Sequence, residues 1–261
     1  MSEYAKVKKR RNFANSAVHV LLNFALGVVS VFATIASKSP AIGLTLVFTS
    51  KWRVFAVHPY YLWSNIKSNL VDFVVGISVV LLVYFSGAEL APVNLILTVF
   101  YCFWLIILKP LSSKTAILCQ SLAAVFLGVS TVVLSLSCHN AIFAVILVYI
   151  IGRSASDHLF TRNNAKNQFL SVVCGLIFAE IMWLSSYWSI IYPIFDDITG
   201  IRIPQVAIIL SILIFLIYKI FSSFQDNDNK IVVSDILAPT IFSLVVILAM
   251  IIWFSNPIFN I

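Results

Sequence analysis

An acidic residue within an apolar segment is the sharpest chemical feature of the sequence. Glu180 lies within one residue of the midpoint of the apolar run 168–190. At such a position an acidic side chain costs about 2.5–3.5 kcal/mol on membrane-insertion scales. Ionisable groups at this depth are expected to face the bundle interior and to mark proton or ion sites. Glu180 is therefore the first candidate for a functional residue.

A polar stripe follows one face of the first apolar segment. Its members recur at steps of three or four residues, which gives them one narrow helical face: Asn12, Ser16, His19, Asn23, Gly27 and Ser30. Such a face is either a seam for helix packing or the lining of a wet path. A fainter seam recurs in the fifth apolar segment, at Gln120, Ala124, Gly128, Thr131, Ser135 and His139.

The first and seventh helices would run in the same direction, so Asn23 and Glu180 are expected at similar depth, with His19 one turn nearer the cytoplasm. We predict an intramembrane polar site built from these three residues together with Ser16 and Ser30. The alternative is a structural hydrogen bond between a protonated Glu180 and a neighbouring helix.

The segment 51–69 mixes cations with aromatic side chains, which is typical of residues at the lipid headgroup level. It is predicted to be an interfacial cytoplasmic loop, anchored by Trp52, Arg53, His58, Tyr61 and Trp63. A lipid-headgroup or substrate site around His58 and Tyr61 is the alternative interpretation.

A second cytoplasmic loop is predicted at 153–168, where Asp157 and His158 are adjacent. A membrane enzyme could use them as an acid and a base, although a solvated loop is the favoured interpretation. Asp72 and Asp235 are expected at the cytoplasmic starts of two helices, where a carboxylate meets the positive end of the helix dipole.

The elements that must position these residues are membrane-spanning helices. The chain is 61% hydrophobic and 10% charged, whereas soluble domains carry about 25% charged residues. Apolar runs recur at lengths that cross a hydrocarbon core about 30 Å thick, and helices satisfy every backbone polar group within it. We predict an all-α, polytopic transmembrane helical bundle that forms a single integral membrane domain over 1–261. Nine helices are expected, near 13–36, 41–57, 70–87, 92–108, 115–137, 140–154, 168–190, 204–222 and 233–254.

The distribution of basic residues predicts the orientation of this bundle. The segment 1–12 carries five of them and is expected in the cytoplasm. Nine crossings then put the carboxyl terminus outside, and every lysine and arginine except Lys38 and Arg202 lies on the cytoplasmic side. The uninterrupted apolar core of the second helix, 41–49, is too short to span alone, so this helix crosses only if it includes Lys51 and Arg53, with their stems snorkelling toward water. Alternatively, helices one and two form a hairpin that returns to the cytoplasm and leaves seven spanning helices.

Missing motifs narrow the function. The sequence has no CxxC, HExxH, GxSxG or P-loop pattern, so no cofactor or metal is expected. The clustered basic footprint of a nucleic-acid surface is also missing. A small transporter, channel or lipid-handling carrier is the first prediction. A non-catalytic membrane subunit or scaffold is the alternative, and a membrane enzyme acting on a lipid-linked substrate at the cytoplasmic face is the third.

The expected partners follow from these classes. The lipid bilayer is common to all three, and the subunit interpretation adds a partner membrane protein or a homo-oligomer. Composition favours a bacterial cytoplasmic membrane.

Overall fold

The fold of the chain is a helical bundle. The computed structural model describes residues 3–136, 140–162, 168–188, 190–193, 202–227, 230 and 232–253, with side chains from residue 17 onward except at 136, 161, 162 and 253. The helices are α1 (Glu3–Ser37), α2 (Pro40–Ser50), α3 (Trp52–Phe55), α4 (Pro59–Ser68), α5 (Leu70–Phe85), α6 (Pro92–Phe103), α7 (Lys114–Leu136), α8 (Ala141–Arg162), α9 (Gln168–Ser185), α10 (Gln205–Asp226) and α11 (Val233–Trp253). A π turn, Trp104–Leu108, continues α6, and strands β1 (Ile191–Pro193) and β2 (Arg202–Pro204) pair antiparallel.

Six helices in the described part of the chain are long and apolar enough to cross a bilayer: the segment 17–37 of α1, and α7, α8, α9, α10 and α11. A seventh candidate is the pair α4 and α5, whose axes bend by 63° at their junction. Helix α2 and the segment 92–108 are apolar but shorter. The prediction of an all-α bundle with helices that can cross a membrane is confirmed, whereas the count of nine stays a prediction.

Helix α7 lies between the two apolar side-chain clusters of the bundle, and small residues on it allow close packing. Ala124 belongs to the cluster formed with α1, α5 and α6, whereas Val125 and Val129 belong to the cluster formed with α8, α9 and α10. A side chain on Gly128 would meet Val74 of α5 and Ile151 of α8 at about 3 Å. The seam predicted for the fifth helix is therefore a packing surface where it is described.

Helices α8 and α9 approach closely through two glycines. A Cβ atom on Gly152 would lie 2.6 Å from the ring of Phe178, and one on Gly175 would lie 3.1 Å from the ring of Tyr149. Close approach of backbones is the usual reason for small residues at helix contacts within membranes.

Polar contacts between helix ends show that α7 and α10, and also α10 and α11, run antiparallel. Lys114 at the start of α7 bridges Asp226 at the end of α10, and Lys67 at the end of α4 bridges Asp157 near the end of α8. We call this the basic end. At the opposite end, Gln205 of α10 donates to the carbonyl of Met250 in α11.

Two predicted cytoplasmic loops differ from the observed structure. The segment 51–69 consists of α3 and α4 rather than a loop, because α2 ends at Ser50 and His58 and Pro59 start a new helix. The prediction of a loop at 153–168 was wrong for residues 153–162, which belong to α8. Helix α8 continues to Arg162, since its last turns have tertiary partners at Asp157 and His158.

Helix α9 ends at Ser185 rather than near residue 190, because the chain turns there toward strand β1. Glu180 therefore lies five residues from the helix end and not at the midpoint. The two-stranded hairpin in the following connection was not predicted.

Candidate functional site

The residues of the predicted intramembrane site lie on separate parts of the bundle. His19 is exposed on α1, and Glu180 is exposed on α9. Asn23 is partly buried, and the buried Ser30 hydroxyl donates to the carbonyl of Gly27 in its own helix. Ser16 lies in α1, but its side chain is outside the described part.

Helix α1 packs on α2, α5 and α6, whereas α9 packs mainly on α8. The described contacts therefore do not bring His19, Asn23 and Glu180 together, and the joint site stays a prediction.

The predicted interfacial residues are all exposed: Trp52, Arg53, His58, Tyr61 and Trp63. The His58 side chain has a local role, because its Nδ1 accepts from the Tyr60 backbone N–H at 3.4 Å and caps α4. The 63° bend between α4 and α5 means that α4 lies closer to the membrane plane than to its normal if α5 crosses the bilayer. Aromatic side chains on such a helix fit the headgroup level.

A cluster of charged residues at the basic end is the strongest candidate for a functional site. The carboxylate of Asp72, in the first turn of α5, binds Lys51 Nζ at 3.1 Å and Lys109 Nζ at 2.8 Å. Its other oxygen accepts from the Trp104 indole N–H at 3.1 Å. We call these four residues the Asp72 cluster. The exposed fraction of the side chain is 5% for Lys51 and 11% for Asp72 but 43% for Lys109.

Lys51 enters this cluster because α2 ends one residue before it. Its ammonium group also donates to the backbone carbonyl of Asp72 and lies 4.5 Å from the ring centre of Phe73. Helix α2 runs antiparallel to α5, since Lys51 meets Asp72 and Val47 lies beside Gly76. The two helices are closely packed, because a Cβ atom on Gly76 would lie 2.9 Å from Val47. This close packing fixes the level at which Lys51 meets Asp72.

The π turn brings the other two members to the carboxylate. In an α-helix, residues five apart point about 140° away from each other. Here the Lys109 N–H donates to the Trp104 carbonyl at 2.9 Å, an i→i+5 bond that wraps five residues into one turn. Trp104 and Lys109 consequently reach the same carboxylate. Such π turns often occur at functional sites.

Tyr101 supplies an unused hydrogen-bonding group beside the cluster. Its hydroxyl is fully buried and has no partner among the described residues. A Cβ atom on Gly76 would lie 3.0 Å from this hydroxyl and 3.6 Å from Lys51 Nζ, so both groups adjoin Gly76. An unsatisfied buried polar group costs about 1–3 kcal/mol, so the site has a free donor that a ligand could satisfy.

The Asp72 cluster contains two cations and one carboxylate. Burial lowers the pKa of Lys51, which lies between α2 and α3, to about 8, although the nearby Asp72 carboxylate opposes this effect. Lys51 is therefore mostly protonated at neutral pH, and the cluster carries a net charge of about +1. A partly exposed site with excess positive charge can bind an anion.

A second polar network ties the π turn to its neighbours. The Gln120 amide of α7 donates to the carbonyls of Leu108 and Leu111 at 2.5 and 3.0 Å. Its oxygen lies 2.6 Å from His158 Nε2 of α8, so the imidazole must donate there. Asp157 bridges Lys67 at 3.4 Å. The adjacent Asp157 and His158 therefore connect helices.

An apolar cavity of about 300 Å³ lies at the opposite end, among α7, α9, α10 and α11. Its lining includes Val133, Ile181, Trp188 and Ile251, and no ionisable side chain contributes to it. In the described part of the chain, no group of three or more His, Cys, Asp or Glu residues could hold a metal ion. The cavity is suited to an apolar group and is separate from the Asp72 cluster.

Comparison with known proteins leaves the site to be interpreted from its own geometry. No family model matches the chain, and neither a curated protein nor a solved structure is similar to it.

Sequence reasoning missed the cluster because Asp72 was interpreted as a helix-start residue and Lys51 as a snorkelling side chain. The available signal was that both border short apolar runs at the same predicted end of the bundle.

Proposed function

We propose that this protein is a lipid-handling membrane protein that binds the phosphate group of an anionic lipid at the Asp72 cluster. The observation that carries the proposal is the convergence of Lys51 and Lys109 on a single carboxylate, which leaves one positive charge unmatched. This function belongs to the first class expected from the sequence.

The position of the cluster favours a lipid over a free solute. Asp72 and Ser86, at the far end of α5, are 14 residues apart, which corresponds to about 21 Å along a helix. A hydrocarbon core is about 30 Å thick. A span shorter than the core thins the bilayer around it, so the headgroups of the surrounding lipids, with their phosphates, reach the level of the cluster.

Lys109 is the group that meets the ligand first, because its side chain is the most exposed of the three charged members. A phosphate oxygen would compete with the Asp72 carboxylate for its ammonium group. Lys51 and the Tyr101 hydroxyl lie deeper and would donate to a phosphate that enters further. The exposed aromatic residues of α3 and α4 would lie among the lipid headgroups beside the cluster.

We infer that the basic end faces the cytoplasm. Among the described residues, Lys38 and Arg202 lie at the opposite end, whereas the half of the bundle that includes the basic end carries Lys51, Arg53, Lys67, Lys109, Lys114, Lys219 and Lys230. Arg153 packs beside Gly175, midway along α9. This asymmetry fits the positive-inside rule. The packing of α2 along α5 supports a second crossing, and hence nine, over a hairpin returning to the cytoplasm. A bacterial cytoplasmic membrane stays the expected location.

Cysteine labelling in sealed vesicles tests this orientation. Single cysteines at positions 38 and 202 should react with a charged thiol reagent added from the periplasmic side, and those at 67 and 230 only after the vesicles are opened. The reverse pattern would overturn the inferred orientation. Accessibility of position 38 from the cytoplasmic side alone would instead support the hairpin.

Lipid binding is tested with purified protein in a neutral detergent, titrated with phosphatidylglycerol or zwitterionic phosphatidylcholine and observed by native mass spectrometry. Removing one lysine near an anionic headgroup costs about 1 kcal/mol, so Lys109→Gln should weaken phosphatidylglycerol binding about fivefold. Lys114→Gln is the matched control, because Lys114 is exposed and paired with Asp226 at the same end. Equal affinity for both lipids, or equal loss in both variants, would reject the proposal.

The enzyme interpretation has less support. The polar groups that an enzyme would use have structural partners. His58 caps α4, Asp157 binds Lys67, and His158 binds Gln120. Turnover of a lipid-linked substrate that depends on His58 or His158 would restore it.

A further inference from the structure

The apolar cavity at the end opposite the Asp72 cluster opens onto the outer surface of the bundle. Leu184 of α9, Trp188 in the following turn and Ile251 of α11 line the cavity and are exposed. Helices α9 and α11 both pack on α10, and Val206 of α10 closes the inner side of the cavity as a buried residue of the core. The cavity is therefore reached from the surface between α9 and α11.

The cavity is elongated along the helix axes. Its lining on α10 extends from Gln205, the first residue of that helix, to Leu213, a distance of about 12 Å along the axis. A volume of about 300 Å³ over this length gives a mean cross-section of about 25 Å². This is close to the cross-section of one extended hydrocarbon chain and too narrow for two chains side by side.

The lining of the cavity fits a hydrocarbon chain in chemistry as well as in shape. Its two polar aliphatic side chains are already bonded within the protein, since the Gln205 amide donates to the Met250 carbonyl at 2.8 Å and the Ser185 hydroxyl donates to the Met182 carbonyl at 2.9 Å. An apolar cavity left empty forfeits packing contacts in proportion to its volume. A lipid chain beside the opening is the nearest group that restores these contacts.

A cation lies beside the outer end of the cavity. Pro204 of β2 lines the cavity, and Arg202 is two residues before it, about 7 Å along the strand. Side chains two residues apart in a strand share one face, so the exposed Arg202 lies on the face of β2 that borders the cavity. Trp188 lies at the same end, where indole groups mark the headgroup level. A lipid chain in the cavity would therefore place its phosphate within reach of the Arg202 guanidinium group, which suits a phosphate.

We propose that this cavity binds one acyl chain of a phospholipid from the leaflet at its own end of the bundle, with the lipid phosphate held by Arg202. The chain fills the space that α9 and α11 leave above α10. This second lipid site goes beyond the function proposed for the Asp72 cluster and does not depend on it, because the two sites share no residue and lie at opposite ends.

Photo-cross-linking of the purified full chain in a neutral detergent tests the position of the acyl chain. The probe is phosphatidylglycerol with a diazirine group in the middle of one chain, and free lipid is removed by gel filtration before irradiation. Mass spectrometry of the peptides should find the label at Ile209 and Leu213. Val245 of α11 is the control position, because it is exposed and lies eight residues from its helix end, as Leu213 does, but on the side of α11 away from the cavity.

Ile209→Trp tests the cavity by filling it. Labelling at Leu213 should be lost in this variant. Ile146→Trp is the matched control and should retain the labelling, because Ile146 is exposed on α8, which contributes no residue to the lining.

Arg202→Gln tests the phosphate contact without altering the apolar core, since Arg202 is exposed. At subsaturating phosphatidylglycerol, labelling at Leu213 should fall about fivefold, the effect of one cation near an anionic headgroup. Lys38→Gln, which removes the other exposed cation described at this end, should leave the labelling unchanged. A diazirine-labelled diacylglycerol, which has no phosphate, should label the unchanged chain and Arg202→Gln equally.

Three outcomes would overturn the proposal. Equal labelling at Leu213 and Val245 would mean that lipid only surrounds the bundle. No labelling at Ile209 and Leu213 in folded protein that retains the lipid would mean that another group fills the cavity. Unchanged labelling in Arg202→Gln would show that the phosphate is held elsewhere. The label at Leu213 reports this site alone, so its loss or retention leaves the proposal for the Asp72 cluster to its own test.

Discussion

Replacing Asp72 with asparagine tests how the buried charge of Lys51 is tolerated. Removing one partner of a buried ion pair usually costs about 3–5 kcal/mol, because the remaining charge is left unpaired. Lys51 can avoid that cost by releasing its proton. Since its pKa is already about 8, deprotonation at pH 7 costs only on the order of 1 kcal/mol.

The other contacts of Asp72 add little to this loss. The bridge to the half-exposed Lys109 contributes at most about 1 kcal/mol, and an asparagine oxygen can still accept from Trp104. We therefore expect Asp72→Asn to lower the free energy of unfolding by about 2 kcal/mol at pH 7, rather than the usual 3–5 kcal/mol of a broken buried pair.

The dependence on pH follows from the sign of the shift. Burial depresses the pKa of Lys51 from 10.5 to about 8, so this lysine destabilises the fold fully below pH 8, and the penalty fades as the pH rises from about 8 to 10.5. The carboxylate of Asp72 reduces the penalty only while Lys51 is charged. The effect of Asp72→Asn should consequently fall to about 1 kcal/mol at pH 9, when Lys51 is mostly neutral in both proteins.

Unfolding by sodium dodecyl sulfate in mixed micelles, followed by tryptophan fluorescence at pH 7 and 9, measures both values. Asp235→Asn is the matched control. Asp235 also lies in the first turn of its helix, but its described bonds are to serine and asparagine side chains. A loss above about 4 kcal/mol that is equal at both pH values would mean that Lys51 stays charged without its partner. That result would refute the reasoning.

Two further substitutions test the packing that positions the cluster. Gln120→Met removes the amide that binds the carbonyls of Leu108 and Leu111, so it should cost about 1–3 kcal/mol in the same unfolding assay. A loss below about 0.5 kcal/mol would show that Gln120 does not hold the π turn. Gly152→Ala puts a methyl group within 2.6–2.8 Å of three Phe178 atoms and should cost about 1–3 kcal/mol. Adding Phe178→Leu should recover part of that loss, and no recovery would place the strain elsewhere.

Periodicity and apolar length were sufficient to predict the long helices. The last helix was expected near 233–254 and occupies Val233–Trp253, and the fifth was expected near 115–137 and occupies Lys114–Leu136. Both have long apolar runs, so the bilayer length rule applies directly. Loop 153–168 was mistaken because helix α8 extends past its apolar part. Partners on other helices, which a local pattern does not contain, hold Asp157 and His158.

The Asp72 cluster could not be assembled from the sequence, because its members come from three separated segments. Lys51 and Asp72 are 21 residues apart, and Lys109 follows 37 residues later. Their convergence depends on where α2 ends and on the π turn after α6. Neither feature has a reliable sequence signal, since a π turn differs from an α-helix by one hydrogen-bond step.

The π turn links the two polar networks of the basic end. On one side, Asp72 binds Trp104, the first residue of the turn, and Lys109, the residue directly after the turn. On the other side, Gln120 donates to the carbonyl of Leu108, the last residue of the turn. A phosphate that draws Lys109 away from Asp72 would act on the residue next to that carbonyl. Because Gln120 in turn contacts His158, binding at the cluster would alter the contact between α7 and α8. Loss of lipid affinity in Gln120→Met, with Lys51 and Lys109 intact, is therefore expected if the two networks act together.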